Sequence, residues 1–214
     1  GGSLEFYSLS QSILICDFPF QKYFQININI DEYLDIQVFP FLLKSSDSTF
    51  VRAGAGALSD VAGNQNVAIG DGDTMHVDQY IGDEIRPFLQ SFTISTNYIL
   101  SLFFSEPMNP LSINVQTIQF QNALSVNGST VLSYSLSAAT YSASGPKKLR
   151  IDIALGNDYD YISAQGSGIF TDQLKTYLRI PESAAKDTSG NKVLAIDIEN
   201  AIPLGPAIVS WALN

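Results

Sequence analysis

The 214 residues include one cysteine, one histidine and one tryptophan. A single cysteine, Cys16, excludes a disulfide framework and any cysteine-rich zinc site, and reads as a buried small hydrophobe. The lone histidine, His76, is the one residue through which a Ser-His-Asp or Cys-His mechanism would have to run. Lys and Arg number 11 against 21 Asp and Glu, which gives a net charge of −10 and a pI near 4.3. Charged residues make up 15% of the chain, against roughly 25% in an average soluble domain. A nucleic-acid binder needs a basic footprint to displace counterions, so that class is excluded. No apolar run approaches the ~20 residues that span a bilayer. Gly1-Gly2-Ser3 reads as a linker or cut point, because no basic stretch precedes an apolar one as in a signal peptide. The glycine-rich run Ala53–Ala57 lacks the Lys-Ser/Thr and helix of a phosphate loop.

What is present is repetition. Arg52, Asp60, Gly63 and Asn64 match Arg179, Asp187, Gly190 and Asn191 at one offset, 127 residues. A second block, aromatic then small then aliphatic, is read in Leu4–Ser10, Leu89–Ser95 and Ile208–Asn214. On that reading the chain ends in the first strand of a third copy, as a piece of a longer array or with a strand closing on another element. Extra material in the second copy is expected at Ser112–Tyr141 and around Gly156–Gly168.

The hydropathy pattern is that of strands. Phe24–Ile30 alternates polar and apolar, and Leu34–Val38, Val115–Phe120, Val131–Leu136, Leu149–Ile153, Thr176–Ile180 and Val193–Ile198 follow the same rule. Gly, Asn and Pro turn signals separate these segments, and no stretch keeps an apolar period of 3.6 over twelve residues. The expectation is an all-β chain of tandem Ig-like antiparallel β-sandwiches. Its divisions are a short or incomplete first repeat over 1–70, an acidic linker over 71–86, a second repeat over 87–200, and a linker with the first strand of a third repeat over 201–214.

The second copy carries Pro87, Leu102-Phe103-Phe104-Ser105-Glu106-Pro107-Met108 and Asp187-Thr188-Ser189-Gly190-Asn191 in order. This resembles the SbsA-type bacterial Ig-like domain in its proline-led first strand, its Ser-Glu-Pro-Met corner and its closing Asp-x-x-Gly-Asn hairpin. The first copy matches in the closing half and has Asp17-Phe18-Pro19 at the corner. The resemblance implies a non-enzymatic module of tandem repeats in an S-layer protein, adhesin, stalk or filament. It would lie outside the cell, on a cell or virion surface, with copies of itself or other surface proteins as partners. Two alternatives stand beside it. One is a carbohydrate- or protein-binding module acting through the inserted loops of the second copy, with Tyr159, Tyr161 and Phe170 as its aromatic cluster. The other is an accessory domain of a large secreted hydrolase.

The candidate sites are few. Asp60, Gly63 and Asn64, with Asp187, Gly190 and Asn191, read as structural turns, since Asp can accept from amides two or three residues on and Gly-Asn tolerates positive φ. Asp71, Asp73, Asp78, Asp83 and Glu84 crowd one stretch with no basic residue before Arg86. They offer the oxygen ligands of a Ca²⁺ ion at a domain junction, without EF-hand spacing, or else a solvated acidic loop. A second acidic group is Asp152, Asp158, Asp160 and Asp172. Asn127-Gly128-Ser129 is the one glycosylation sequon and equally a hairpin turn. Glu106 is the only carboxylate between Pro87 and Pro146 and has no catalytic partner near it in sequence.

Overall fold

The computed structural model describes residues 5–15, 25–124, 131–137, 140–144 and 148–204. Cys16, Asp17-Phe18-Pro19, Asn127 and the segment Ile208–Asn214 lie outside them. The chain divides into two compact units, Gly1–Asp83 and Glu84–Asn214. Regular structure among the described residues is mostly strand in antiparallel sheets, with two α-helices.

In the second unit, β5 (Leu89–Ile94), β6 (Ile99–Phe104), β9 (Thr140–Ser144) and β10 (Arg150–Ala154) form a sheet ordered β5-β6-β10-β9. A second sheet is ordered β12-β11-β7-β8, from β7 (Gln119–Gln121), β8 (Ser133–Ser135), β11 (Tyr177–Arg179) and β12 (Ile202–Pro203). Alternation decides the inward faces: Leu100, Leu102 and Phe104 of β6 and Ile151 and Ile153 of β10 are buried. Phe120 and Leu178 do the same from the second sheet, and Phe92 meets Phe120 edge-on at 6.1 Å. One apolar cluster therefore draws on both sheets.

In the first unit, β1 (Ile13–Ile15) pairs with β2 (Gln25–Asn27), and β3 (Phe50–Val51) pairs with β4 (Met75–His76). β4 lies inside the stretch expected to be linker. The residues Leu34–Val38, expected to be strand, fall in and just after helix α1 (Ile30–Gln37). Asn29 caps the helix by accepting from Asp31 N–H at 2.8 Å, and Asp31 and Glu32 sit in its first turn, where the helix dipole favours them. Two turns are too short to print a helical period against the apolar residues around them. Helix α2 (Asn157–Ala164) occupies the region expected to be an insertion.

The two units share one pairing scheme. Ile13 pairs with Asn27 and Leu14 with Ile26, as Thr140 pairs with Ala154 and Tyr141 with Ile153. Phe50 pairs with His76 and Val51 with Met75, as Tyr177 pairs with Pro203 and Leu178 with Ile202. Every one of these residues differs from its counterpart by 127, and so do the bounds of α1 and α2. Ile69 N–H donates to Ala53 O at 2.8 Å, and Ile196 N–H donates to Ile180 O at 2.8 Å. Even the left-handed residues Leu43 (φ 52°) and Phe170 (φ 68°) correspond. Extended toward the N-terminus, this register sets Tyr7-Ser8-Leu9-Ser10 on the identical Tyr134-Ser135-Leu136-Ser137. In this register Tyr7–Ser10 corresponds to the β8 region.

Candidate functional site

The Asp-x-x-Gly-Asn turns are the most completely built polar sites. In unit 2, Asp187 Oδ1 accepts from Ser189 N–H and Asn191 N–H, both at 2.8 Å. Asp187 Oδ2 accepts from Asn191 Nδ2 at 2.9 Å. In unit 1, Asp60 Oδ1 accepts from Ala62 N–H at 2.9 Å and Asn64 N–H at 2.8 Å, and Oδ2 accepts from Asn64 Nδ2 at 2.8 Å. Gly63 (φ 86°) and Gly190 (φ 98°) supply the backbone reversal that a Cβ would resist. The hydrogen bond from the Asn64 side chain, then those from backbone amides, hold the Asp60 carboxyl below its ordinary range. Both carboxylates are thus occupied in closing a hairpin.

The two motifs of the resemblance meet in unit 2. Met108 forms a β-bridge with Asp187, Thr188 N–H donates to Pro107 O at 3.1 Å, and Asn109 N–H donates to Lys186 O at 2.9 Å. The turn is stitched to the Ser-Glu-Pro-Met corner, and the carboxylates of Glu106 and Asp187 come within 4.8 Å. Arg86 adds a clamp on the same unit: it donates to Lys192 O at 3.0 Å, Val193 O at 2.9 Å and Glu182 Oε1 at 2.7 Å. Its guanidinium holds the Glu182 carboxyl below the usual range.

The acidic stretch is dispersed. Asp71 pairs with Arg52, and Asp83 accepts from Gln37 Nε2 at 3.1 Å. Among the described residues, no three of Asp71, Asp73, Asp78, Asp83 and Glu84 bring their carboxylate oxygens within 4.8 Å of one another. His76 lies in β4 with its ring edge-on to Phe50 at 5.2 Å. Two members of the second acidic group are built into the fold: Asp158 accepts from Ser137 N–H at 2.9 Å and Ser137 Oγ at 2.6 Å, and Asp172 caps a turn by accepting from Leu174 N–H at 2.9 Å.

Tyr159, Tyr161 and Phe170 do not form a single cluster. Tyr159 stacks on Phe170 at 5.1 Å, and Phe170 meets Phe120 edge-on at 4.6 Å, so this pair runs into the core. Tyr98 stacks on Tyr159 at 4.1 Å from the outside, with its backbone at φ 59°. Burial first, then Tyr98 and Asp160, pushes the Tyr159 phenol up. Tyr161 is exposed and meets Tyr134 edge-on at 6.4 Å. The sequence reading missed Tyr98; its place in a turn between two apolar runs was the available signal. Elsewhere on unit 2, Gln116, Thr117, Gln119, Arg179, Pro181, Ile196 and Asp197 line a depression of about 310 Å³. No family model matches the chain, and no curated protein or solved structure matches it.

Proposed function

We propose that this chain is a non-catalytic structural module of an extracellular surface protein, such as a stalk, S-layer, adhesin or filament subunit built of tandem Ig-like sandwiches. The observation that carries the reading is the single pairing scheme that recurs at one offset in both units. A repeated module whose recurring acids, Asp60 and Asp187, are spent on turns fits a load-bearing role better than a reaction centre. The test is force spectroscopy on tethered copies of the whole chain. The expected trace has one discrete rupture per copy from the paired sheets of unit 2. Unfolding without a force peak, or hydrolysis of a glycoside or ester that Glu106→Gln abolishes, overturns the reading.

One observation favours a second reading, a carbohydrate-binding module. Tyr98 is 45% exposed, sits in the left-handed region and is braced from below by Tyr159. A non-glycine residue held there costs about 1 kcal/mol or more, and such strain gathers at binding sites. An open phenol face on a rigid support suits the apolar face of a sugar ring. A glycan array read with the wild type and Tyr98→Ala checks it: the expected result is a set of retained glycans lost in the variant, and an array blank for both discards the reading.

A further inference from the structure

We propose that the face of unit 1 formed by β2 and β3 is an acceptor for strands with the chemistry of Leu89–Gln121, joined ahead of Ser10 in the same polypeptide. This goes beyond the structural-module reading and stands on pairing geometry, exposure and the register of the two units.

The first observation is a pair of open edges. In unit 2, β10 pairs with β9 on one side and β6 on the other, and β11 pairs with β12 and β7. Among the described residues of unit 1, β2 pairs with β1 alone and β3 with β4 alone. The open edges are the two that β6 and β7 occupy in unit 2. An unpaired edge presents a row of backbone donors and acceptors ready for another strand.

Exposure gives the second observation. Ile153 of β10 is 0% exposed, and its counterpart Ile26 is 44% exposed. Leu178 of β11 is 0% exposed, and its counterpart Val51 is 54% exposed. Leu155 and Leu136 are buried where Ile28 and Leu9 are exposed. The apolar character of the face is kept while its cover is missing. In unit 2 that cover is Phe92, Leu100, Leu102, Phe104, Ile118 and Phe120, all from residues 89–121.

Connectivity then selects the occupant. The covering strands of unit 2 run into Ser137 through Leu136, and Ser10 with Leu9 are their counterparts. A cover for unit 1 with the same connection enters ahead of Ser10. A second copy would have to withdraw its own β5 and β6, exposing Phe92 and Leu100, which are fully buried. That loss makes exchange between copies the costlier route.

The test replaces residues 1–9 with a duplicate of Glu84–Leu136, so that Leu136 precedes Ser10, and leaves the rest of the chain intact. The unaltered chain should bind a hydrophobic dye such as ANS, and the double variant Ile26→Asp, Val51→Asp should weaken that signal. In the extended chain the dye signal should fall, and amide protection at Ile26 and Val51 should rise more than about 100-fold, toward that of Ile153 and Leu178. An extended chain that is folded by the protection of unit 2, yet keeps the dye signal and unprotected β2 and β3 amides, overturns the proposal. So does an unaltered chain whose dye binding is indifferent to the two Asp substitutions. Sedimentation of the unaltered chain as a dimer that these substitutions dissolve would assign the face to a second copy instead.

Discussion

At the scale of single residues, one carboxylate closes each hairpin, and its surroundings set how much that matters. Asp187 is 2% exposed and accepts three hydrogen bonds from the half-exposed turn, so Asp187→Ala empties a buried position and takes the acceptor from three donors at once. The expected cost is about 3 kcal/mol in urea unfolding of unit 2. Asp60 makes the same bonds in water, and Asp60→Ala should cost a fraction of that because solvent replaces the lost acceptor. Gly190→Ala at φ 98° should destabilise unit 2 by about 1–2 kcal/mol, since a Cβ opposes that backbone. Glu32 supplies a pH dependence. The Ser12 hydroxyl, then the Ser10 and Gln11 amides, hold its carboxyl at about 2, against an ordinary 4.5. A depressed carboxyl stabilises the fold fully above its unfolded value and loses that contribution as pH falls toward its folded one. Amide protection at Ser10 and Gln11 should therefore decline between pH 4.5 and 2, and Glu32→Gln should remove the decline.

Elements depend on their neighbours as much as on their own residues. Tyr134-Ser135 belongs to β8 because Phe120 and Gln119 of β7 stand opposite, and the identical Tyr7-Ser8 in unit 1 is not strand. A three-residue strand has no stability of its own and forms where a ladder partner exists. The helices show a related effect. The burial pattern places Glu32 and Ile36 of α1 where Asp158 and Ile162 sit in α2, one position out of the 127 register. Both carboxylates reach back to a serine, Ser10 or Ser137, so the helix keeps its anchor while its face shifts by a residue. The matched positions Leu178 and Val51 make this measurable. Leu178→Ala should cost about 2–5 kcal/mol by leaving a cavity, while Val51→Ala, on an open face, should change stability by less than about 0.5 kcal/mol.

For the whole molecule, the two units carry unequal cores. The contiguous apolar cluster lies in unit 2, while Ile36 is the buried large aliphatic side chain among the described residues of unit 1. Stability follows apolar area removed from water. Urea unfolding followed by residue-resolved hydrogen exchange should show unit 1 opening first, in a shallow transition, and unit 2 later as a cooperative one. Coincident opening of both units would contradict this.

Much of the architecture was legible in the chain. Alternating apolar residues marked β10 and β11, and the aromatic-small-aliphatic block marked β5, because one face of each is buried and a period of two records that directly. Asp60 and Asp187 announced their turns, since an Asx hairpin is a local device whose partners lie within four residues. The offset of 127 was visible there too, and it extended to Tyr7–Ser10 and Tyr134–Ser137, where the sequence reading followed an aromatic pattern instead of identity. Two-turn helices were not legible, as eight residues hold too few apolar positions to fix a period. Nor could the chain alone say that Asp71 pairs with Arg52, that Tyr98 stacks on Tyr159, or which Tyr-Ser-Leu becomes a strand. Local hydrogen bonding and side-chain periodicity are written in the sequence. Strand pairing and burial belong to residues far apart in the chain, so only the tertiary structure decided that Leu178 is core and Val51 an open face.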